Sequence, residues 1–250
     1  MQYHPETIPI LEAMQQHAEC PLCALERAVE IEAVERTLGE SLMEPEERVR
    51  VNRLGFCRDH QRMLYAQQNR LGHALLTDSI LLERLSTLQT IQNDLQNAGA
   101  SLRPPRLGAD PLRKASAALR GMQHHCAVCD TVASHMKRYR RVFLRLWKYD
   151  ASFRAMWDAS HGVCLPHAEA LMESASGILN RRERLAFAGE ALARLTEQLT
   201  KDERDVDQFT RKFDYRNQAE PWGDSKTGVE RAVNRLRGWC LGPEPTTRDR

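Results

Sequence analysis

Eight residues of this 250-residue chain have the types and spacings of metal ligands. Cys20-Pro21-Leu22-Cys23 and Cys126-Ala127-Val128-Cys129 each set two thiols at i and i+3, close enough to bite one ion. Cys57-Arg58-Asp59-His60 and Cys164-Leu165-Pro166-His167 do the same with one thiol and one imidazole. Each motif reads as the start of a helix, where free N–H groups and the helix dipole favour a thiolate. Pro21 and Pro166 suit such a first turn, in which a missing N–H costs nothing. Corresponding ligands recur at offsets of 106, 106, 107 and 107. Gly55 and Gly162, Leu64 and Leu171, Leu71 and Ile178, Leu85 and Leu192, and Leu88 and Leu195 share the offset of 107. The pattern reads as a tandem duplication of one module.

Taken module by module, the ligands form two Cys3His sets: Cys20, Cys23, Cys57 and His60 for one ion, and Cys126, Cys129, Cys164 and His167 for the other. Three thiolates and one neutral imidazole complete a tetrahedral zinc shell and leave no position for water, which is a structural rather than a hydrolytic arrangement. Two zinc ions are therefore the expected cofactors. Two other readings stay open. A pair of iron–sulfur clusters with histidine as fourth ligand would make an electron carrier, and a thiol/zinc switch would open on oxidation. A thioredoxin-type dithiol needs a βαβ unit, and no strand pattern is visible; covalent haem is disfavoured because Ala24 and Asp130, not histidine, follow the two Cys-x-x-Cys pairs. Cys240 has no partner and reads as a small buried residue or a bystander. His17, His124, His125 and His135 read as ordinary boundary or helix-surface histidines.

The elements that must carry these motifs are helical. The chain is rich in Ala, Leu, Glu, Arg and Gln, and no stretch alternates in the manner of a strand. The expected architecture is all-α, with residues 1–100 as the first module, 101–110 as a linker, 111–210 as the second module and 211–250 as an unrepeated segment. Asn97-Ala98-Gly99-Ala100-Ser101 and Arg103-Pro104-Pro105-Arg106 should break any helix. A long helix should leave each histidine. Leu64, Leu71, Leu75, Leu81, Leu85, Leu88 and Leu95 keep a three-and-four spacing over about 30 residues, or roughly 45 Å. Leu171, Ile178, Leu185, Leu192, Leu195, Leu199, Val206 and Phe209 form the second row. Both rows read as packing seams.

The paired Cys-Pro-x-Cys and Gly-x-Cys-x-x-His modules, together with Lys212-Phe213-Asp214-Tyr215-Arg216 and Glu220-Pro221-Trp222-Gly223, resemble an uncharacterised bacterial family, a domain of unknown function. The resemblance spans most of the chain. It implies the paired sites and the helical character, and it implies no reaction.

Specificity should lie in what is not duplicated. Lys212, Asp214, Tyr215, Arg216 and Trp222 are candidates for contact with a ligand or partner; the competing reading is that Phe213, Tyr215 and Trp222 cap the bundle while Asp214 and Arg216 pair locally. A helix from about Lys226 to Arg237 should pack back. From His135 to Lys148, basic residues interleave with aromatics. This could be a stripe for nucleic acid, or a core face of Tyr139, Phe143, Leu146 and Trp147 under a solvated basic one.

The charge balance of 36 basic against 34 acidic residues, a net +2, weakens the nucleic-acid reading. The apolar runs are too short to span a membrane, and no secretory leader is visible at the start. A reducing cytoplasm is thus the expected location, where seven cysteines are not a disulfide framework. No phosphate loop, G-x-S-x-G or H-E-x-x-H occurs, so nothing argues for an enzyme. The expected function is that of a metal-binding accessory protein whose partner is another protein.

Overall fold

Prolines and short polar side chains start most of the helices. α1 (Thr7–Gln15) is followed by α2 (Pro21–Leu38) and α3 (Pro45–Leu54), both opening on proline. α4 (Arg58–Ala66) and α5 (Arg70–Ala100) lead to α6 (Pro111–Gly121), where the Asp110 carboxylate accepts the Leu112 N–H at 3.0 Å. α7 (Ala127–Tyr149) precedes α8 (Ala151–Ala159), capped by Asp150 through the N–H groups of Ser152 and Phe153. α9 (Leu165–Ala175) is followed by α10 (Arg181–Arg211), which begins on a reciprocal capping box between Asn180 and Glu183. The 3-10 turn Gly223–Thr227 then leads into α11 (Gly228–Arg237), the returning helix expected from about Lys226 to Arg237, which packs on α10. The computed structural model describes residues 6–16, 18–100 and 110–245; among these the protein is all-α, with eleven α-helices and no strand.

The chain divides into two compact units. One holds the residues through Val29 and those from Ser134 onward; the other holds Glu30–Ala133. Each unit therefore draws on both halves of the sequence, a cut different from the 1–100 and 111–210 ranges. The first unit has an aromatic core: Phe143 meets Phe153 and Trp157 edge-on at 4.9 and 5.5 Å, and Trp147 meets Phe187 at 5.2 Å. Phe143, Phe153, Trp157 and Phe187 are fully buried. Edge-on aromatic pairs add roughly 0.5–1.5 kcal/mol each beyond the area they bury. The core of the second unit is aliphatic, with Val34, Leu38, Val51, Leu54, Leu64 and Leu76 at its centre.

Three expectations need correction. The single long helix after each histidine is two helices. Gln68 adopts φ +61° after α4, and the Asn69 side chain restarts the chain by accepting the Gly72 N–H at 2.9 Å; Asn180 restarts it before α10. Asn97–Ala100, expected to break, is the last turn of α5, because one glycine among alanines costs only about 1 kcal/mol in a helix. The rest of the expected linker, residues 101–109, lies outside the described residues. Finally, most of the first leucine row is not a seam within the fold, although Leu64 is buried and Leu95 packs on α6. Leu76 is the buried leucine of α5, whereas Leu71, Leu75, Leu81, Leu85 and Leu88 are exposed. The helix packs on α3 and α6 through its other face, with Ile91 and Leu95 against α6. In α10 the row is split: Leu195 is buried, Leu185 and Leu192 are exposed, and Phe187 and Ala191 take the core positions.

Candidate metal centres

Each ligand motif sits at a helix start, and the same device holds each Cys-x-x-His turn. Cys57 and Cys164 are the N-cap residues of α4 and α9, with His60 and His167 in the first turn. Two residues earlier, Gly55 and Gly162 adopt φ +67° and +79°, a left-handed conformation that an L side chain rarely takes. A Cβ there would also press on Arg84 or Arg194. Those two arginines bond the preceding turn: Arg84 donates to the Arg53 carbonyl at 3.0 Å, and Arg194 to the Asp158 carbonyl at 2.9 Å.

All eight expected ligands come together, but not in the expected sets. One cluster is Cys20, Cys23, Cys164 and His167; the other is Cys57, His60, Cys126 and Cys129, with the ligating atoms of each within 4.8 Å of one another. The Cys-x-x-Cys pair of each half thus meets the Cys-x-x-His pair of the other. Helix lengths explain why. α2 is about 27 Å long and α3 only about 15 Å, while α7 is about 34 Å and α8 about 14 Å. So unequal a pair of helices does not by itself return the second motif of a half to its first. In the second unit, the exchanged pairing is held by backbone. The Ala127 N–H donates to the Gly55 carbonyl at 2.9 Å, and Arg50 bonds the Ala127 carbonyl at 3.2 Å and the Thr131 hydroxyl at 2.9 Å. Ala127 stands where the first motif has Pro21, which has no N–H for such a bond.

In the first cluster the Cys23 and Cys164 sulfurs are 3.6 Å apart, and His167 Nδ1 lies 3.1–3.5 Å from all three sulfurs. In the second, the Cys57 and Cys129 sulfurs are 3.9 Å apart, and His60 Nδ1 lies 3.1–3.3 Å from its three. Tetrahedral zinc with bonds of about 2.3 Å to sulfur and 2.0–2.1 Å to nitrogen would set sulfur–sulfur edges near 3.8 Å and sulfur–nitrogen edges near 3.5 Å. Both clusters fit a single ion of that kind. The imidazoles face the sulfurs through Nδ1, which leaves Nε2–H to donate outward. His60 Nε2 meets the Glu30 carboxylate at 2.9 Å, and His167 Nε2 lies 3.5 Å from that of Glu26. A carboxylate behind a ligating histidine fixes its tautomer and raises its basicity. Neither glutamate was singled out from sequence; their signal is position, since both lie on α2 within two turns of Cys23.

The electrostatics call for a cation. Burial opposes charge on His167 and His60, yet the thiolates beside them, of Cys164 and Cys20 and of Cys126, outweigh it and raise both imidazoles to about 10; Glu30 adds to the effect at His60. Burial also opposes ionisation of Cys126, but contacts with His60 and the Cys129 N–H bring it down to about 6. Cys129 is then pushed up, by burial and by the charge on Cys126. In the other cluster, burial opposes ionisation of Cys20, yet its sulfur and imidazole neighbours lower it well below the ordinary thiol value. Cys164 and Cys20 in turn push Cys23 up. One thiolate forms readily in each set, and its charge holds back the next. Three thiolates coexist only with added positive charge.

The two clusters differ in shelter. All four ligands of the first are buried, whereas Cys129 of the second is exposed and Cys57 is partly so. Around the first, the Trp239 N–H donates to Cys23 Sγ at 3.3 Å, and Arg27 holds Glu244 at 2.6 Å while lying over the Trp239 ring. A cavity of about 290 Å³ lined by Cys20, Cys23, Cys164, Arg235 and Trp239 adjoins this site. The nearby charges are committed: Arg235 bonds Asp202 and Glu19, each at 2.5 Å.

The remaining candidates are placed as follows. Lys212 is buried, and its ammonium donates to the carbonyls of Asn217, Gln218 and Glu220 at 2.8, 2.7 and 2.5 Å with the Trp222 ring over it. Asp214 pairs with Arg216 at 2.6 Å, as the competing reading had it. Phe213 and Tyr215 depart from that reading: they are 74% and 80% exposed, because the loop turns inward around the Lys212 ammonium. Phe143 and Trp147 face the core, and Lys137, Arg138, Arg141 and Arg145 are exposed. Cys240 is exposed rather than buried. His124 and His125 are exposed and belong to neither cluster, nor does His135; His17 lies outside the described residues. No helix among the described residues is long and apolar enough to cross a membrane.

No curated protein and no solved structure matches the chain. A model of one family matches residues 1–242, nearly the whole length. By that match, the protein carrying these two Cys3His clusters belongs to DUF6062, a family of unknown function.

Proposed function

We propose that each cluster holds one zinc ion as a structural staple, and that the chain is a non-catalytic accessory protein that binds another protein in a reducing cytoplasm. The observation that carries the zinc reading is the closed tetrahedral spacing of four ligands in each cluster, with a glutamate spent on each imidazole. An iron–sulfur cluster spreads its thiolates over separate iron atoms, which suits less well four ligand atoms gathered within 4.8 Å. The staple ties together residues far apart in sequence, so metal and fold are coupled. The outward Phe213 and Tyr215, on a loop closed around the Lys212 ammonium, support contact with a partner protein.

The deciding experiment is metal analysis with an absorption spectrum on protein purified without oxygen and without added metal. Two zinc ions per chain, no visible absorption, and loss of helix on chelation are expected. Iron with sulfide and a brown colour would overturn the zinc reading in favour of electron transfer.

A further inference from the structure

We infer that the exposed face of α5 is a self-association surface, on which a second copy of this chain packs its own α5 antiparallel. This goes beyond the metal reading and stands on different residues. Six leucines of this helix, Leu71, Leu75, Leu81, Leu82, Leu85 and Leu88, are between 41% and 73% exposed. At 3.6 residues per turn they fall within an arc of about 140°, on the side away from buried Leu76. Together they expose on the order of 600 Å² of leucine surface, at the upper end of what monomers tolerate in one patch. Ala74, Asp78 and Gln89, also exposed on the arc, bring it towards the roughly 800 Å² per partner that a stable dimer needs.

Sequence along the arc favours this chain as its own partner. Leu71, Leu75, Asp78, Leu82, Leu85 and Gln89 follow the four-and-three alternation of a coiled-coil seam. α5 has only five charged residues in 31, fewer than the 28% of the whole chain, and from Leu71 to Leu88 Asp78 is the only charge on the arc. A face so nearly uncharged meets its own copy without repulsion. A two-fold contact between identical faces runs the helices antiparallel when its axis crosses them and parallel when its axis lies along them, and the place of Asp78 favours the first. With the axis midway between Leu82 and Leu85, those leucines pack on each other and Asp78 meets the Gln89 carboxamide. A parallel pair would set Asp78 against Asp78.

The test is sedimentation equilibrium of the full metal-loaded chain at micromolar concentrations. A mass near twice 28.7 kDa is expected. Leu82→Glu with Leu85→Glu should give a monomer of unchanged helicity and metal content, because both side chains are exposed. Gln89→Lys, which would face Asp78 across the axis twice, should tighten the dimer several-fold. A monomeric wild-type chain, or a dimer that survives the double glutamate variant, overturns the inference; so does a Gln89→Lys protein that associates no more tightly than wild type.

Discussion

The exchanged ligand sets make opposite predictions from the sets that sequence order suggests, and two double variants separate them. Cys23 and Cys164 are 141 positions apart in sequence but 3.6 Å apart in one cluster, whereas Cys23 and Cys57 share a sequence half and lie in different clusters. Cys23→Ser with Cys164→Ser should therefore take metal content from two ions per chain to one. Cys23→Ser with Cys57→Ser should take it to none. Structural zinc binds with an apparent free energy of roughly 10–16 kcal/mol in small zinc-dependent folds, comparable to or larger than the 5–15 kcal/mol that holds an ordinary domain folded. Each lost ion should thus open its own unit, and a second lesion in an already emptied cluster should add little. The readout is native mass spectrometry for the metal count, with tryptophan fluorescence alongside. All four tryptophans, Trp147, Trp157, Trp222 and Trp239, belong to the first unit. The Cys23/Cys164 variant should shift the emission to the red; a Cys57→Ser with Cys129→Ser variant should leave it near native while losing one ion. One ion retained by Cys23/Cys57, or none by Cys23/Cys164, would refute the exchange.

Shelter and buried charge give two more expectations. Cys129 is exposed and the thiols of the other cluster are buried, so mild peroxide should release one zinc equivalent, detected with an indicator dye, well before the second. Release of both at the same rate would count against the difference in shelter. Arg235 and Asp202 are each about 2% exposed and paired at 2.5 Å between α11 and α10. Arg235→Met should lower unfolding free energy by about 3 kcal/mol in denaturant titration by leaving the Asp202 carboxylate with only Arg231, 3.5 Å away, beside it. Adding Asp202→Leu should recover most of the loss, and a single variant of near-wild-type stability would show that the pair contributes little.

The ligands were legible in sequence because their chemistry is local. Cys20 and Cys23, or Cys164 and His167, are one helical turn apart, so spacing alone aims both at one point, and Pro21 and Pro166 mark the turns as helix starts. The helical class was legible for the same reason, since composition and three-and-four periodicity act over a few residues. Exposure was not. Leu71 and Leu85 have the spacing of a core row, yet a helix with two apolar faces buries whichever one meets a neighbour, and α3 and α6 took the side of Leu76 and Leu95. The breaks at Gln68 and Asn180 likewise turn on single side-chain bonds that compete with a favourable helical run.

The eight candidate ligands, their place at helix starts and the all-α class were thus readable from local sequence, because each depends on residues within a turn or two. Which Cys-x-x-Cys closes on which Cys-x-x-His was decided only by tertiary structure. That choice depends on how far α2 and α7 carry the chain out, how little α3 and α8 bring it back, and the Gly55–Ala127 backbone bond between segments 72 residues apart. These are sums over whole helices and contacts across the chain, and no motif spacing records them.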